Sequence, residues 1–167
     1  ARKISHTLCC VGCPALFLTP SDAVHGGMGV AAEGDVLVLL SKGGVTKEIN
    51  DLIMPGKERG ATIIGVCEKE NSPLAKECDI FFKVKISKEA DDFNMLATSS
   101  TLSVISIFDA IANYLTNMLI CSSERHTLFN KIICKVGSIN KALACGFVHI
   151  VLQHAHSGDH WSKNRKT

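Results

Sequence analysis

The sequence predicts an α/β protein whose parallel sheet is covered by helices on both faces. Two observations predict it. Short apolar or β-branched runs alternate with segments carrying helix start and stop signals over the first two-thirds of the chain. The clearest of those runs is apolar almost throughout, as a strand buried on both sides requires.

Each element has its own reason. Arg2 to Val11 has helical character and ends near Gly12, and Ala15 to Leu18 is a short apolar strand. Pro20 suits the first position of a helix or turn, because its missing amide would be unpaired there anyway. Asp35 to Leu40 is the next strand. Thr46 to Arg59 reads as a helix closing at Gly60, with a kink or break expected at Pro55. Ala61 to Val66 is a β-branched strand, Ser72-Pro73 caps a short helix over Leu74 to Glu77, and Asp79 to Ile86 reads as a strand. After a loop through Asp91-Asp92-Phe93-Asn94, Thr98 to Leu119 forms a long helix that is apolar on more than one face.

Composition narrows the function classes. With 46% hydrophobic and 20% charged residues among 167, the chain has a real core and room for one domain. A net charge of +2 is too near neutral to argue for nucleic acid or an anionic membrane as partner. The longest apolar stretch, Ala142 to Leu152 interrupted by His149, is too short to span a bilayer, and the start carries no signal-peptide pattern. The chain does not begin with methionine, which points to a trimmed start. The eight cysteines are scattered in apolar surroundings, as buried thiols of a cytoplasmic protein would be. Cys10 and Cys13 have the spacing of a metal or redox pair, but no second Cys-x-x-Cys answers them, and no metal is expected.

The stretch from Asp35 to Glu48 carries most of the functional information. A buried strand breaks into a turn of small residues, Ser41-Lys42-Gly43-Gly44-Val45-Thr46, at a helix start. Backbone N–H groups at such a turn point outward, and the helix dipole favours an anion. Gly43 and Gly44 permit close approach, Ser41 and Thr46 carry hydroxyls, and Lys42 adds positive charge. The same residues would also serve as an ordinary βα turn without ligand. Ligands of parallel α/β folds bind outside the carboxyl ends of the strands, which is where this turn falls.

The order of segments then points to a family. Thr19-Pro20-Ser21-Asp22-Ala23-Val24-His25-Gly26-Gly27-Met28-Gly29 resembles the His/Thr-Pro-Ser/Gly-Glu/Asp-Ala-x-His-Gly-Asp-x-Gly segment of sugar isomerase (SIS) domains. Ser41 to Glu48 resembles their Ser-x-Ser-Gly-x-Thr-x-Glu phosphate loop, with Gly43 in place of the second serine. Ser72-Pro73-Leu74-Ala75 with Asp79, Lys88-Glu89-Ala90, and Thr98-Ser99-Ser100-Thr101 resemble further family segments in the same order. The arabinose-5-phosphate isomerase branch looks most similar.

The resemblance implies a flavodoxin-like three-layer αβα sandwich that binds a sugar phosphate and interconverts aldose and ketose without a cofactor. Such a reaction moves a proton between adjacent carbons through an enediol, so it needs a carboxylate and stabilisation of oxyanion charge. Glu48, Glu89 and His25 match the family's catalytic positions. Ser41, Lys42, Gly43, Gly44 and Thr46 match its phosphate cradle, and Ser99, Ser100 and Thr101 would hold phosphate or sugar from the next helix. A homo-oligomer, dimer or tetramer, is implied as well. The alternative is a non-catalytic SIS module that binds or senses phosphosugars.

Three departures qualify the match. The family's first strand, a central one, and its Gly-x-Gly-Lys-Ser turn correspond to sequence ahead of residue 1, so the domain at 1–119 is expected to be N-terminally truncated and to lack that strand. No Phe-x-x-x-His-Pro-Gly-Gly segment follows Leu119. Gly43 removes one hydroxyl. Lys3 and His126 are the residues to examine as replacements for the missing lysine and histidine. Residues 120–167 form a divergent segment: Thr127 to Val136 reads as helix or strand, Asn140 to His154 as an apolar helix, and the rest as a flexible basic tail. His154, His156, Asp159 and His160 are metal-compatible, but Ser157-Gly158 and the run from Lys163 do not suggest a rigid cage.

Overall fold

Strand β2, Val36–Leu40, is buried on both faces, and its side chains sort by the two-residue period of a strand. Val36, Val38 and Leu40 enter one core with Ile4, Leu8, Phe108, Ala112 and Leu115. Leu37 and Leu39 enter the other with Ile49, Leu52, Ile53 and Leu74. Burying each such side chain stabilises the fold by roughly 1.5–3 kcal/mol before entropy is counted. The two cores define the three layers, and the computed structural model describes residues 1–120 and 148–152 of them.

Helices α1, Arg2–Cys10, and α6, Ser99–Ile120, cover the first face and pack against each other. The other face carries α2, Pro20–Val24, a 3-10 turn at Gly27–Val30, α3, Lys47–Asn50, α4, Ile53–Glu58, and α5, Pro73–Glu77. The remaining strands are β1, Ala15–Leu18, β3, Thr62–Cys67, β4, Ile80–Lys83, and β5, Val148–Leu152. Among the described residues all five strands pair in parallel, in the order β1-β5-β2-β3-β4.

The helix expected over Thr46 to Arg59 is two helices that meet at Asp51 and Leu52. Pro55 explains the position of the break. Its ring would crowd the carbonyl four residues back, at Asp51, and it has no amide to donate there. In α4 it sits in the first turn, where that amide is not needed. Gly60, at φ +78°, closes the unit as expected.

The central place in the sheet is filled. The apolar helix expected over Asn140 to His154 is instead strand at Val148–Leu152, and it lies between β1 and β2. Val148, Ile150 and Val151 are β-branched and stiff, which favours a strand over a helix. Ala15 pairs with Val148 on one side and Val36 with Val148 on the other, and the register runs on to Leu40 beside Leu152. Among the described residues β1 therefore pairs with the sheet through β5, a strand from the far end of the sequence, while α1 also packs against α6. The reading of Thr127 to Val136, and the cluster at His154, His156, Asp159 and His160, lie outside the described residues.

Candidate functional site

Ser41 ends β2, where its N–H still bonds Val66 O at 3.1 Å, and the chain then turns sharply into α3. The turn is held from within. Gly44 N–H donates to both the carbonyl and the hydroxyl of Ser41, each at 3.1 Å, and the Ser41 and Thr46 hydroxyls lie 2.8 Å apart. It is also held from outside: Gly44 O accepts from Leu74 N at 3.2 Å and from Asn50 Nδ2 at 3.3 Å, and Lys42 O accepts from Glu68 N at 2.9 Å. Gly44 has φ +67°, and a Cβ there would lie 2.2 Å from Ser72 Oγ, so no other residue fits.

The outer rim is different. Thr46 occupies the cap position of α3 but uses its hydroxyl on Ser41 and caps nothing. The amides of Gly43, Val45, Thr46, Lys47 and Glu48 make no hydrogen bond among the described residues. Two hydroxyls that share one hydrogen bond keep one O–H between them for another acceptor. The result is a rigid turn with a fringe of free donors at the carboxyl end of the sheet, suited to an anion.

A second set of residues joins this turn through Lys42. Its Nζ lies 2.6 Å from Glu89 Oε1, and the Glu89 side chain is fully buried. The same carboxylate accepts from Ser100 Oγ at 2.5 Å, Thr98 N at 3.0 Å, Ser100 N at 3.1 Å and Thr98 Oγ1 at 3.2 Å. Burial pushes the Glu89 carboxyl up, but the donors from Lys42, Ser100 and Thr98 outweigh it and hold it down at about 2. Behind it, Glu89 N–H donates to Asn94 Oδ1 at 2.7 Å.

The other expected residues are dispersed around this centre. Glu48 is exposed in the first turn of α3 and makes no side-chain hydrogen bond among the described residues. His25 is exposed at the end of α2, which packs beside α3. Ser100 is committed to Glu89, Thr101 Oγ1 donates to Ala97 O at 2.8 Å, and Ser99 O accepts from Ser103 Oγ. Lys3 is ion-paired with Asp109 of α6 and has no hydrogen bond to the turn, and His126 lies outside the described residues. Sequence reasoning missed Asn50, which ties the turn to α3 and whose buried Oδ1 has no partner among the described residues. It also missed the packing of Ser72 and Cys67 behind Gly44. Among the described residues no group of three metal-ligating side chains forms.

The SIS domain model matches residues 2–114. The chain belongs to the SIS domain family. Among curated proteins, arabinose 5-phosphate isomerase KdsD of Pseudomonas aeruginosa is 37% identical over 111 residues, 66% of this chain and 34% of that protein. Arabinose 5-phosphate isomerase KpsF of Escherichia coli is 38% identical over the same length and shares. The SIS chain thus spans about a third of the length of these relatives. Of solved structures, one from Listeria monocytogenes assigned to the sugar-phosphate isomerases is 48% identical with TM-score 0.69, covering 78% of this chain and 67% of that one. An E. coli protein in complex with arabinose 5-phosphate is 31% identical with TM-score 0.68, covering 77% and 69%. The αβα sandwich expected of the family is the fold observed.

Proposed function

We propose that this SIS domain binds a sugar phosphate at the turn from Ser41 to Thr46 and interconverts its aldose and ketose forms. The phosphate sits on the free amides of Gly43, Val45, Thr46, Lys47 and Glu48, with the spare hydroxyl of the Ser41–Thr46 pair as a further donor. The observation that carries this reading is the uncapped start of α3: Thr46 leaves amides open that a cap residue normally closes. Similarity to arabinose 5-phosphate isomerases supports arabinose 5-phosphate as substrate and ribulose 5-phosphate as product.

Glu48 then takes the proton between the two sugar carbons, being the accessible carboxylate beside the phosphate amides, and His25 from α2 assists ring opening. No organic cofactor or metal enters this scheme. A positioned base contributes roughly 10²–10⁴ in rate, so Glu48→Gln is expected to lose at least about a hundredfold in kcat with binding retained. Conversion of arabinose 5-phosphate is followed by ribulose 5-phosphate formation. No conversion by the wild-type protein at high concentration rejects the enzyme reading.

A binding or sensing module is favoured by one observation: Lys42, the turn's cation, already has its charge balanced by Glu89. That reading expects phosphosugars to raise the unfolding midpoint without turnover. Exposed Phe93, Met95, Leu96 and Leu102, in the loop before α6 and its first turns, support a homo-oligomer, checked by light scattering. The thiols of Cys9, Cys10, Cys13, Cys67 and Cys78 are all unpaired, as in a reducing compartment such as the cytoplasm. No helix among the described residues is long and apolar enough to cross a membrane.

A further inference from the structure

We infer that Glu89 is a positioning residue: it clasps the Ser41–Thr46 turn, through Lys42, to the start of α6, and neither takes the substrate proton nor touches the sugar. The inference deepens the phosphosugar reading above and rests on it for its kinetic arm. Its structural basis is geometric. A carboxylate offers about four lone-pair directions. Glu89 already receives five donors, from Lys42 Nζ, Ser100 Oγ, Ser100 N, Thr98 N and Thr98 Oγ1. None is left to point at a ligand, and the side chain has no exposed surface.

The surrounding chain is built for this role. Between β4 and α6 no regular element forms until Ser99, yet Glu89 and its partners make the segment a closed loop. Asn94 Oδ1 accepts the Glu89 amide, and the Asp91 carboxylate accepts the amides of Phe93, Met95 and Leu96. The Glu89 carboxylate also supplies the charge that the first turn of α6 favours. From there it reaches a lysine 47 residues earlier, on the turn that grips the phosphate. Lys42 is thus oriented by Glu89, while its side chain stays partly exposed on the residue just before the open amide of Gly43. A base needs the opposite setting, an approachable oxygen with proton affinity near the working pH. Glu48 offers an exposed carboxylate, and Glu89 does not.

The test uses the full chain with Glu89→Gln, Lys42→Met and the double variant. Amide hydrogen exchange at Ser41 and Gly44, whose N–H groups hold the turn, is the first readout and needs no enzyme activity. A clasp predicts at least about tenfold faster exchange in each single variant and no further increase in the double one, because both remove one interaction. Unchanged exchange, or effects that multiply in the double variant, overturns the inference. Lys42→Met keeps the test open if Glu89→Gln fails to fold.

The second readout is the pH profile of arabinose 5-phosphate conversion. A positioning role predicts that Glu89→Gln raises KM and leaves the acid limb of kcat where it is. Loss of that limb with kcat down a hundredfold makes Glu89 the base and overturns the inference. If the wild type converts nothing, the isomerase reading fails while the exchange result still decides the clasp.

Discussion

Replacing Gly44 by alanine probes the geometry of the turn most sharply. A methyl group there would lie 2.2 Å from Ser72 Oγ, 2.6 Å from Ser72 Cβ and 2.9 Å from Cys67 Sγ, at φ +67°. The left-handed conformation costs a residue with a side chain roughly 1–2 kcal/mol. Forced overpacking adds typically about 1–3 kcal/mol where neighbours cannot retreat. Here they cannot. Ser72 Oγ accepts the Ala75 amide at the start of α5 and lies 3.3 Å from Cys67 Sγ, and Cys67 belongs to buried β3.

The two terms together make Gly44→Ala less stable by about 3 kcal/mol, a fall in Tm of roughly 6–12 °C for a chain of this length. Gly43→Ala is the control: its nearest contact is Val45 Cγ2 at an ordinary 3.6 Å, so it stays within about 0.5 kcal/mol of wild type. Urea unfolding of the three proteins measures both. Equal stability of Gly44→Ala and wild type, or equal damage from the two substitutions, refutes the reasoning.

Other expectations follow from the same contacts. Because the folded-state value of Glu89 is depressed to about 2, its stabilisation is complete above its ordinary value near 4.5 and is lost as pH falls toward 2. Acid unfolding of Glu89→Gln should lack that component, and an unchanged acid slope in the variant contradicts the network. Ile150→Pro removes a ladder donor from the central strand and, with it, the attachment of β1; a loss of about 3 kcal/mol or more by denaturant unfolding is expected, and a neutral result denies β5 its place. Gly43→Ser restores a hydroxyl where there is space for one, and should tighten inorganic phosphate binding by about tenfold in a calorimetric titration; weaker binding would show that the rim does not face the anion.

Much of this molecule was legible in its sequence, for physical reasons that also explain the misses. β2 declared itself because a strand buried on both faces must be apolar throughout, and the turn after it because only small residues and glycines permit that bend. The break at Asp51 was signalled by Pro55, though its place four residues upstream follows from helix geometry. β5 was read as helix because an apolar run carries no period that distinguishes the two, and its partners β1 and β2 are more than a hundred residues away. The vacancy in the sheet was visible from the resemblance, but its occupant was not. At the site, Lys88-Glu89-Ala90 gave no local sign that Glu89 is buried, since its partners come from Lys42 and from Thr98 and Ser100. The use of the Thr46 hydroxyl on Ser41 was equally invisible, and that bond is what leaves the amides free.

Amide chemical shifts test most directly whether an anion seats at the start of α3. Titration of the isotope-labelled protein with arabinose 5-phosphate should move the resonances of Gly43, Val45, Thr46, Lys47 and Glu48 in a saturable way, ahead of any others. Saturable shifts confined to another part of the chain, with these five amides unmoved, would contradict that seating.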